Sequence, residues 1–239
     1  MSSSQKVDLL FNAFNEIDTI EDDIKEIVKI YNNHQRVGKI IIVEDGSFDG
    51  TAEKLRDLKK ELNIELNQSE NRRGYSKALI EGIQSCDSEY IFFSDLGGKF
   101  NWSQVDSLIN LIDHYDFIVG VRTNRQDRLY RKILTKLYSL YLFLFYRIKS
   151  KDPDSGFRIY KKNLINKILK EQIFNKHLLN SEFTIKSIEH GARYKEVSID
   201  YYQRKGPSRG LPLSIIPNVI FSTIKNSFKI KKQVRSYEE

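Results

Sequence analysis

Lys39-Ile40-Ile41-Ile42-Val43, running directly into Glu44-Asp45-Gly46-Ser47-Phe48-Asp49-Gly50-Thr51, decides how this chain folds. The apolar run has no alternation, the pattern of a strand buried on both faces in the middle of a parallel sheet. Carboxylates, glycines and hydroxyls follow it, as expected at the carboxyl end of a strand, where open α/β sheets bind their ligands. Outward from this strand, short apolar runs alternate with helical patterns from residue 7 to about 121, the signature of repeated βαβ units. Further strands are expected at Val7 to Phe11, Ile64 to Asn67, Glu89 to Ser94 and Phe117 to Val121, with helices near 19–32, 50–62, 74–85 and 102–113.

Beyond residue 122 the pattern changes to a long helix rich in tyrosine, leucine and phenylalanine, Leu129 to Ile148, then a turn at Asp152-Pro153-Asp154-Ser155-Gly156. Helices near 162–171 and 180–190 and a strand from Arg193 to Tyr202 come next. Pro207, Pro212 and Pro217 are expected to break up any long helix in the tail. The expected organisation is one α/β domain over residues 1–210 and an amphipathic, basic C-terminal tail over 211–239.

With 239 residues and 40% hydrophobic content, the chain can bury a sizeable core. No stretch approaches the roughly 20 apolar residues of a membrane span, and the N-terminus lacks a signal peptide's apolar core, so a cytoplasmic location is expected. Cys86 is the only cysteine, which excludes an internal disulfide and a cysteine-rich metal site and suits a small buried side chain. The histidines at 34, 114, 177 and 190 have no metal-ligand spacing. Lysine and arginine total 39 against 32 acidic residues, and the resulting +7 favours anionic partners such as nucleotides, phosphates or acidic lipid surfaces. No zinc-finger spacing or aromatic RNA-binding signature is present, so nucleic acid is not expected as a partner.

The chemistry-bearing residues fall into ordered motifs. Asn15-Glu16 follows the first strand, Glu44-Asp45-Gly46-Ser47 the second, and Asn71-Arg72-Arg73-Gly74-Tyr75-Ser76-Lys77-Ala78 opens a later helix. Ser94-Asp95 ends a strongly apolar strand, and Asp152-Pro153-Asp154-Ser155-Gly156-Phe157-Arg158 comes last. Carboxylates at strand ends can accept hydrogen bonds from ribose hydroxyls or a base N–H, with Gly46 and Gly50 permitting turns that place Asp45 outward. The same stretch also reads as a tight turn with Asp49 capping the next helix. In this order, over roughly residues 6–210, the chain resembles the inverting glycosyltransferases of the GT-A fold, and among them most of all dolichyl-phosphate mannose synthase and related polyprenyl-phosphate glycosyltransferases.

The resemblance implies a Rossmann-like, mainly parallel sheet flanked by helices, in which Phe11, Asn15, Glu16, Asp45, Ser47 and Lys77 frame a nucleotide. It also implies that Asp95 lies near the diphosphate and its Mg2+ or Mn2+, and that Arg122, Arg131 and Arg204, with Ser208, hold the acceptor phosphate. Guanidinium suits that task because its fixed fork meets phosphate oxygens bidentately. Relatives often read Thr-Asp-Ser-Asp-Gly-Gln-Phe where this chain reads Ser94-Asp95-Leu96-Gly97-Gly98-Lys99-Phe100. Gly98 and Phe100 set the register, leaving Gly97 in place of the second carboxylate and Lys99 in place of a glutamine. A shift by one pair would instead make Asp95 the second carboxylate and forfeit those two matches; either way one carboxylate is gone. A divalent cation can still bind one carboxylate plus substrate phosphates. Alternatively, Lys99 neutralises the charge developing on the leaving nucleotide. Asn12 stands where relatives usually have proline.

The expected function is sugar transfer, with inversion, from a nucleotide sugar of the GDP-mannose or UDP-glucose type to a polyprenyl or dolichyl phosphate at the cytosolic membrane face. Asp95, Lys99, Arg122, Arg131 and Arg204 would be the catalytic residues. A phosphate acceptor needs no general base, because its second pKa near ~6 leaves it largely anionic at neutral pH. A hydroxyl acceptor would need one, for which Glu182 stands in the right region, although Asn180-Ser181-Glu182 also reads as a helix cap. A non-catalytic relative that binds nucleotide sugar without turnover is the third reading. The tail pairs Ile215, Ile216, Val219, Ile220, Phe221 and Ile224 with lysines, which suits a peripheral membrane interface. For the long helix, packing on the sheet or on a second subunit is the equal alternative, and a membrane-protein partner or homo-oligomer fits the same face.

Overall fold

The computed structural model describes residues 5–123, 129–174, 178–202 and 213–235. Its centre is a seven-stranded mixed sheet in the order β3-β2-β1-β4-β6-β5-β7, formed by β1 (Val7–Ala13), β2 (Val37–Glu44), β3 (Glu65–Gln68), β4 (Tyr90–Asp95), β5 (Phe117–Thr123), β6 (Arg158–Lys161) and β7 (Tyr194–Asp200). The Ile40–Val43 run lies in β2 between β1 and β3, buried on both faces as its unbroken apolar character requires. Six strands were legible in the sequence. β6 was not, because it has four residues, begins with an arginine, and runs antiparallel between β4 and β5.

Helices cover both faces. α1 (Ile20–Tyr31) buries Ile20, Ile24, Ile27, Val28 and Tyr31 at helical spacing and, with α2 (Thr51–Glu61) and α4 (Val105–Ile109), closes one apolar layer around Phe11, Phe92, Trp102 and Phe157. α3 (Tyr75–Ser85), α6 (Lys162–Leu169) and α7 (Leu179–Glu189) close the other around Leu10, Ile91, Phe93, Tyr160 and Phe183. Each such fully buried aliphatic or aromatic side chain stabilises the fold by roughly 1.5–3 kcal/mol. Cys86 is buried in this second layer, as its solitary occurrence suggested. The helix expected over 102–113 is shorter. Asn101 caps a 3-10 turn at Trp102–Gln104, and Leu111 and Ile112 close the end of α4 with tightened i to i−3 bonds to Leu108 and Ile109.

A third cluster joins α5 (Leu129–Tyr146) to α8 (Ile216–Arg235) and α7, through Leu142, Tyr146, Ile148, Ile185 and Ile230. Tyr141 donates to Ser227 Oγ at 2.6 Å, Asn226 donates to the Phe174 carbonyl at 3.1 Å, and the Phe145 and Phe228 rings meet at 5.2 Å. The expectation that Pro217 breaks up a long helix is corrected here. Pro217 is the second residue of a 20-residue helix, in the first turn, where its missing N–H has no intrahelical partner to lose.

Candidate active site

Parallel register brings the motifs to one edge. Ala13 pairs with Glu44 and Asn12 with Asp95, so the loops leaving β1, β2 and β4 emerge side by side, and Gln68 of β3 pairs with Glu44 from the other flank. The first two loops are stitched together. Asn15 N donates to Ser47 Oγ at 2.8 Å, Phe48 N to Asn15 Oδ1 at 2.9 Å, Glu16 N to Thr51 Oγ1 at 2.8 Å, and Ile17 N to Asp49 Oδ2 at 3.2 Å. Asn15 and Ser47 therefore shape the loop pair through each other. Asp49 also accepts from Thr51 N at 3.0 Å, so the capping reading of this stretch holds for that residue.

Asp45 does not face outward. It is 5% exposed and its carboxylate accepts from Arg73 N at 2.7 Å and from Gly74 N at 3.1 Å, tying the end of β2 to the start of α3. Gly46, at φ +70°, allows this: a Cβ there would lie 2.5 Å from Arg72 N, in the backbone of the crossing loop. The crossing carries Arg72 to 4.2 Å above the Phe14 ring, and Phe14 meets Phe48 edge-on at 6.0 Å. Phe48 is 84% exposed at the mouth of the edge. The sequence reading missed this aromatic and cationic group; the signal was an aromatic residue set inside a polar Gly-Ser-Phe-Asp-Gly loop. Phe11, expected at the nucleotide, is instead fully buried against Phe92 and Trp102, because it points from β1 into the core layer. Lys77 lies on the exposed side of α3, 3.9 Å from Glu81.

The Asp95 loop is held from below. Asp23 of α1 accepts from Gly97 N and Gly98 N through one oxygen, each at 2.9 Å, and from Trp102 Nε1 through the other at 2.9 Å. Gly97 has φ +114°, and a Cβ on it would lie 2.8 Å from Glu16 Oε2. Glu16, which is buried, thus fills the place of the missing side chain. Lys99 reaches back until its ammonium is 3.9 Å from Asp95 Oδ2, while Asp95 Oδ1 is buried without a partner among the described residues.

The turn at 152–156 closes the edge from the far side. A Cβ on Gly156 would lie 3.5 Å from Asp95 Oδ2, so the turn passes directly beside that carboxylate. Asn180 Nδ2 donates to the Tyr75 hydroxyl at 3.3 Å, and burial followed by the charge of Asp95 pushes the Tyr75 phenol well up. Asp154 accepts from Ser181 Oγ at 3.3 Å, and burial raises its carboxyl to about 6 against the pull of Arg122 and Arg158. Arg158 is fully buried and spans the turn and α7 by donating to the carbonyls of Ser155, Pro153 and Asn180. Tyr75, Asn180 and Asp154 stood in quoted motifs without a role of their own, because the neighbours they meet come from elements far apart in the chain.

Of the arginine set, Arg122 and Arg131 lie among the described residues, each bonded within the protein. Arg122 directs Nε and Nη2 onto the two oxygens of Asp152, both at 2.7 Å, so the bidentate fork expected to meet a phosphate meets a carboxylate of the protein. Arg131, in the first turn of α5, donates from Nε to the Tyr130 hydroxyl at 3.2 Å. Arg204 and Ser208 lie outside the described residues. Glu182 lies in the first turn of α7, the acidic first turn of the cap reading, although Leu178 is the N-cap; it is fully buried, accepts from Phe174 N at 3.0 Å, and pairs with the buried Lys186 at 3.0 Å.

Residues 10–174, well over half of the chain and all of the edge just described up to the 152–158 turn, match glycosyl transferase family 2. The chain belongs to that family. This family 2 glycosyltransferase is 27% identical over 226 residues to an uncharacterised protein of Methanocaldococcus jannaschii, with 89% of this chain and 88% of that one covered. It is 24% identical over 172 residues to the undecaprenyl-phosphate 4-deoxy-4-formamido-L-arabinose transferase of Salmonella choleraesuis, covering 70% of this chain and 52% of that one. The chain thus spans about half the length of this second relative. Glucosyl-3-phosphoglycerate synthase from Mycobacterium tuberculosis, solved with Mn2+, UDP and phosphoglyceric acid, shares the fold at a TM-score of 0.69 and 16% identity, over 93% of this chain and 78% of that one. The expected GT-A, Rossmann-like α/β fold is therefore the observed one.

A divalent ion does not fit the residues of this family 2 member well. Among the described residues no three His, Cys, Asp or Glu side chains converge to hold one. The Asp95 carboxylate at the end of β4 has the Lys99 ammonium beside it, 3.9 Å away.

Proposed function

We propose that the chain transfers a sugar from a nucleoside-diphosphate sugar to a polyprenyl phosphate at a membrane surface, with inversion at the anomeric carbon. The base rests against Phe14, Phe48 and Arg72, where two aromatic rings and a guanidinium offer stacking faces at the open mouth. Asp95 Oδ1 supplies an acceptor for a ribose hydroxyl. A phosphate oxygen of the acceptor forms the new bond to the anomeric carbon while the bond to the donor's diphosphate breaks. The electron pair of that bond leaves with the nucleoside diphosphate. Because the acceptor is already an anion, no proton has to be removed.

The observation that carries the lipid acceptor is the outer face of α5 and α8. Ile133, Leu137, Leu140 and Leu144 recur along α5 at helical spacing and are about half exposed, and Ile220, Phe221, Ile224 and Phe228 extend the surface along α8. Exposed Lys132, Lys136, Lys225, Lys229 and Lys232 flank it, each worth about 1 kcal/mol near an anionic leaflet. A cleft of about 400 Å³ opens between the helices, lined by Phe145, Phe228, Lys231 and Lys232. No helix of the described residues is long and apolar enough to cross a membrane, which leaves an interfacial contact as the way this face meets lipid. The undecaprenyl-phosphate transferase relative supports the same acceptor class.

A hydroxyl acceptor is the second reading, favoured by Asp154: a carboxyl raised to about 6 beside the Asp95 turn would be an ionised base at neutral pH. The test is a panel of nucleotide sugars offered with undecaprenyl or dolichyl phosphate in detergent. Glycolipid formed by both wild type and Asp154→Asn supports the phosphate route. Product on an added sugar-hydroxyl acceptor that is lost in Asp154→Asn supports the hydroxyl route, and no glycolipid with any donor refutes the lipid-phosphate reading.

A further inference from the structure

Gly97 is not a carboxylate lost from an otherwise intact metal loop. Its backbone sits at φ +114°, a Cβ on it would meet Glu16 at 2.8 Å, and the N–H groups of Gly97 and Gly98 are both bound by Asp23. The loop is shaped around the absence of a side chain. A cation lies beside the same loop. Lys99 is held in place through its backbone, since its carbonyl accepts from Tyr202 N at 2.8 Å and Phe100 forms an antiparallel bridge to Tyr201. Its side chain is 15% exposed, and its ammonium stops 3.9 Å from Asp95 Oδ2, longer than a hydrogen bond and near enough to be attracted.

We infer that the Lys99 ammonium takes the place of a divalent cation at the donor diphosphate, so that this chain binds a nucleoside diphosphate without metal. The inference rests on the nucleotide-sugar reading above. A doubly charged ion seated on Asp95 would have the ammonium as its immediate neighbour, and two cations repel across such a distance, whereas a diphosphate brought there finds one fixed positive charge with three donors. Magnesium is often content with one or two carboxylates plus phosphates, so ligand number alone does not exclude it; the neighbouring cation does. When the bond to the anomeric carbon breaks, the departing diphosphate gains the electron pair and one further negative charge. An ammonium already in position stabilises it without reorganisation.

The test is calorimetric binding of UDP and of GDP to the full chain, in excess EDTA and in excess Mn2+. Wild type is expected to bind at least one of them with the same affinity in both. Lys99→Gln is expected to weaken binding in EDTA by roughly tenfold or more, the worth of a charge-assisted hydrogen bond, and Lys99→Arg to retain it. Wild-type binding that requires Mn2+ overturns the inference while leaving the nucleotide-sugar reading standing, as does unchanged affinity in Lys99→Gln. If neither nucleotide binds in either condition, the nucleotide-sugar reading itself fails and the inference with it. Thermal melting of Lys99→Gln checks folding; should it not fold, metal independence of the wild type and retention in Lys99→Arg decide.

Discussion

Replacing Gly97 by aspartate puts a charged side chain where the loop has none, and the geometry says it fails. A non-glycine residue at φ +114° stores about 1–3 kcal/mol of backbone strain. Its Cβ would lie 2.8 Å from Glu16 Oε2, so Glu16 must move, and two carboxylates roughly 4 Å apart repel by ~1 kcal/mol in water and up to ~4 at a partly screened site. Together these put the loss for Gly97→Asp at about 2–7 kcal/mol, a fall in Tm of roughly 4–28 °C for a domain of this size. Gly97→Ala carries the strain without the charge and should lose about 1–3 kcal/mol. Adding Glu16→Gln to Gly97→Asp should recover the difference between the two. Urea denaturation of all four proteins measures it. A loss below about 0.5 kcal/mol in Gly97→Asp, ordinary for a surface substitution, would refute the claim that the loop is built around glycine.

Glu182→Gln should lower stability by about 3 kcal/mol, the low end for a broken buried pair because Glu171 remains 3.3 Å from the Lys186 ammonium, and should leave kcat of the folded enzyme within about twofold. A large fall in kcat with unchanged melting would return Glu182 to the chemistry. Phe48→Ala, at an 84% exposed position, should weaken UDP or GDP binding about 2- to 10-fold with no change in Tm; unaltered affinity would remove Phe48 from the base platform. Asp154 has its folded pKa raised from 3.8 to about 6, so between those values the folded state holds the extra proton and wild-type stability falls as pH rises through that window. Relative to Asp154→Asn the difference should grow from pH 4 to 6 toward an upper limit of about 3 kcal/mol and stay level above it; equal slopes for both proteins would show the carboxyl is not raised.

The βαβ order, the buried central strand and the edge at which the motifs gather were all legible from Val7 to Val121. An unbroken apolar run has only one place in such a sheet, and parallel strands release their following loops at the same end. Asp95 and Glu16 could be placed at strand ends on the same grounds, whereas Lys99 was named only from the resemblance. What the chain order does not contain is which neighbour each charged group meets. Asp45 was expected to face a ribose but is taken up by Arg73 and Gly74, and Arg122 was expected to face a phosphate but is clasped by Asp152. Both partners lie about 30 residues away, and a buried polar group binds whatever donor or acceptor the packed layers bring within about 3 Å. Phe11 and Glu182 were drawn inward for the same reason, the one by the apolar layer against Trp102 and the other by Lys186. The sequence by itself determined that the fold is α/β and that the ordered motifs gather at one sheet edge. Only the tertiary structure decided that Glu16 lies against Gly97 and that Lys99 turns back to Asp95, because both contacts depend on how α1 and the end of β7 hold the Gly97-Gly98-Lys99 backbone.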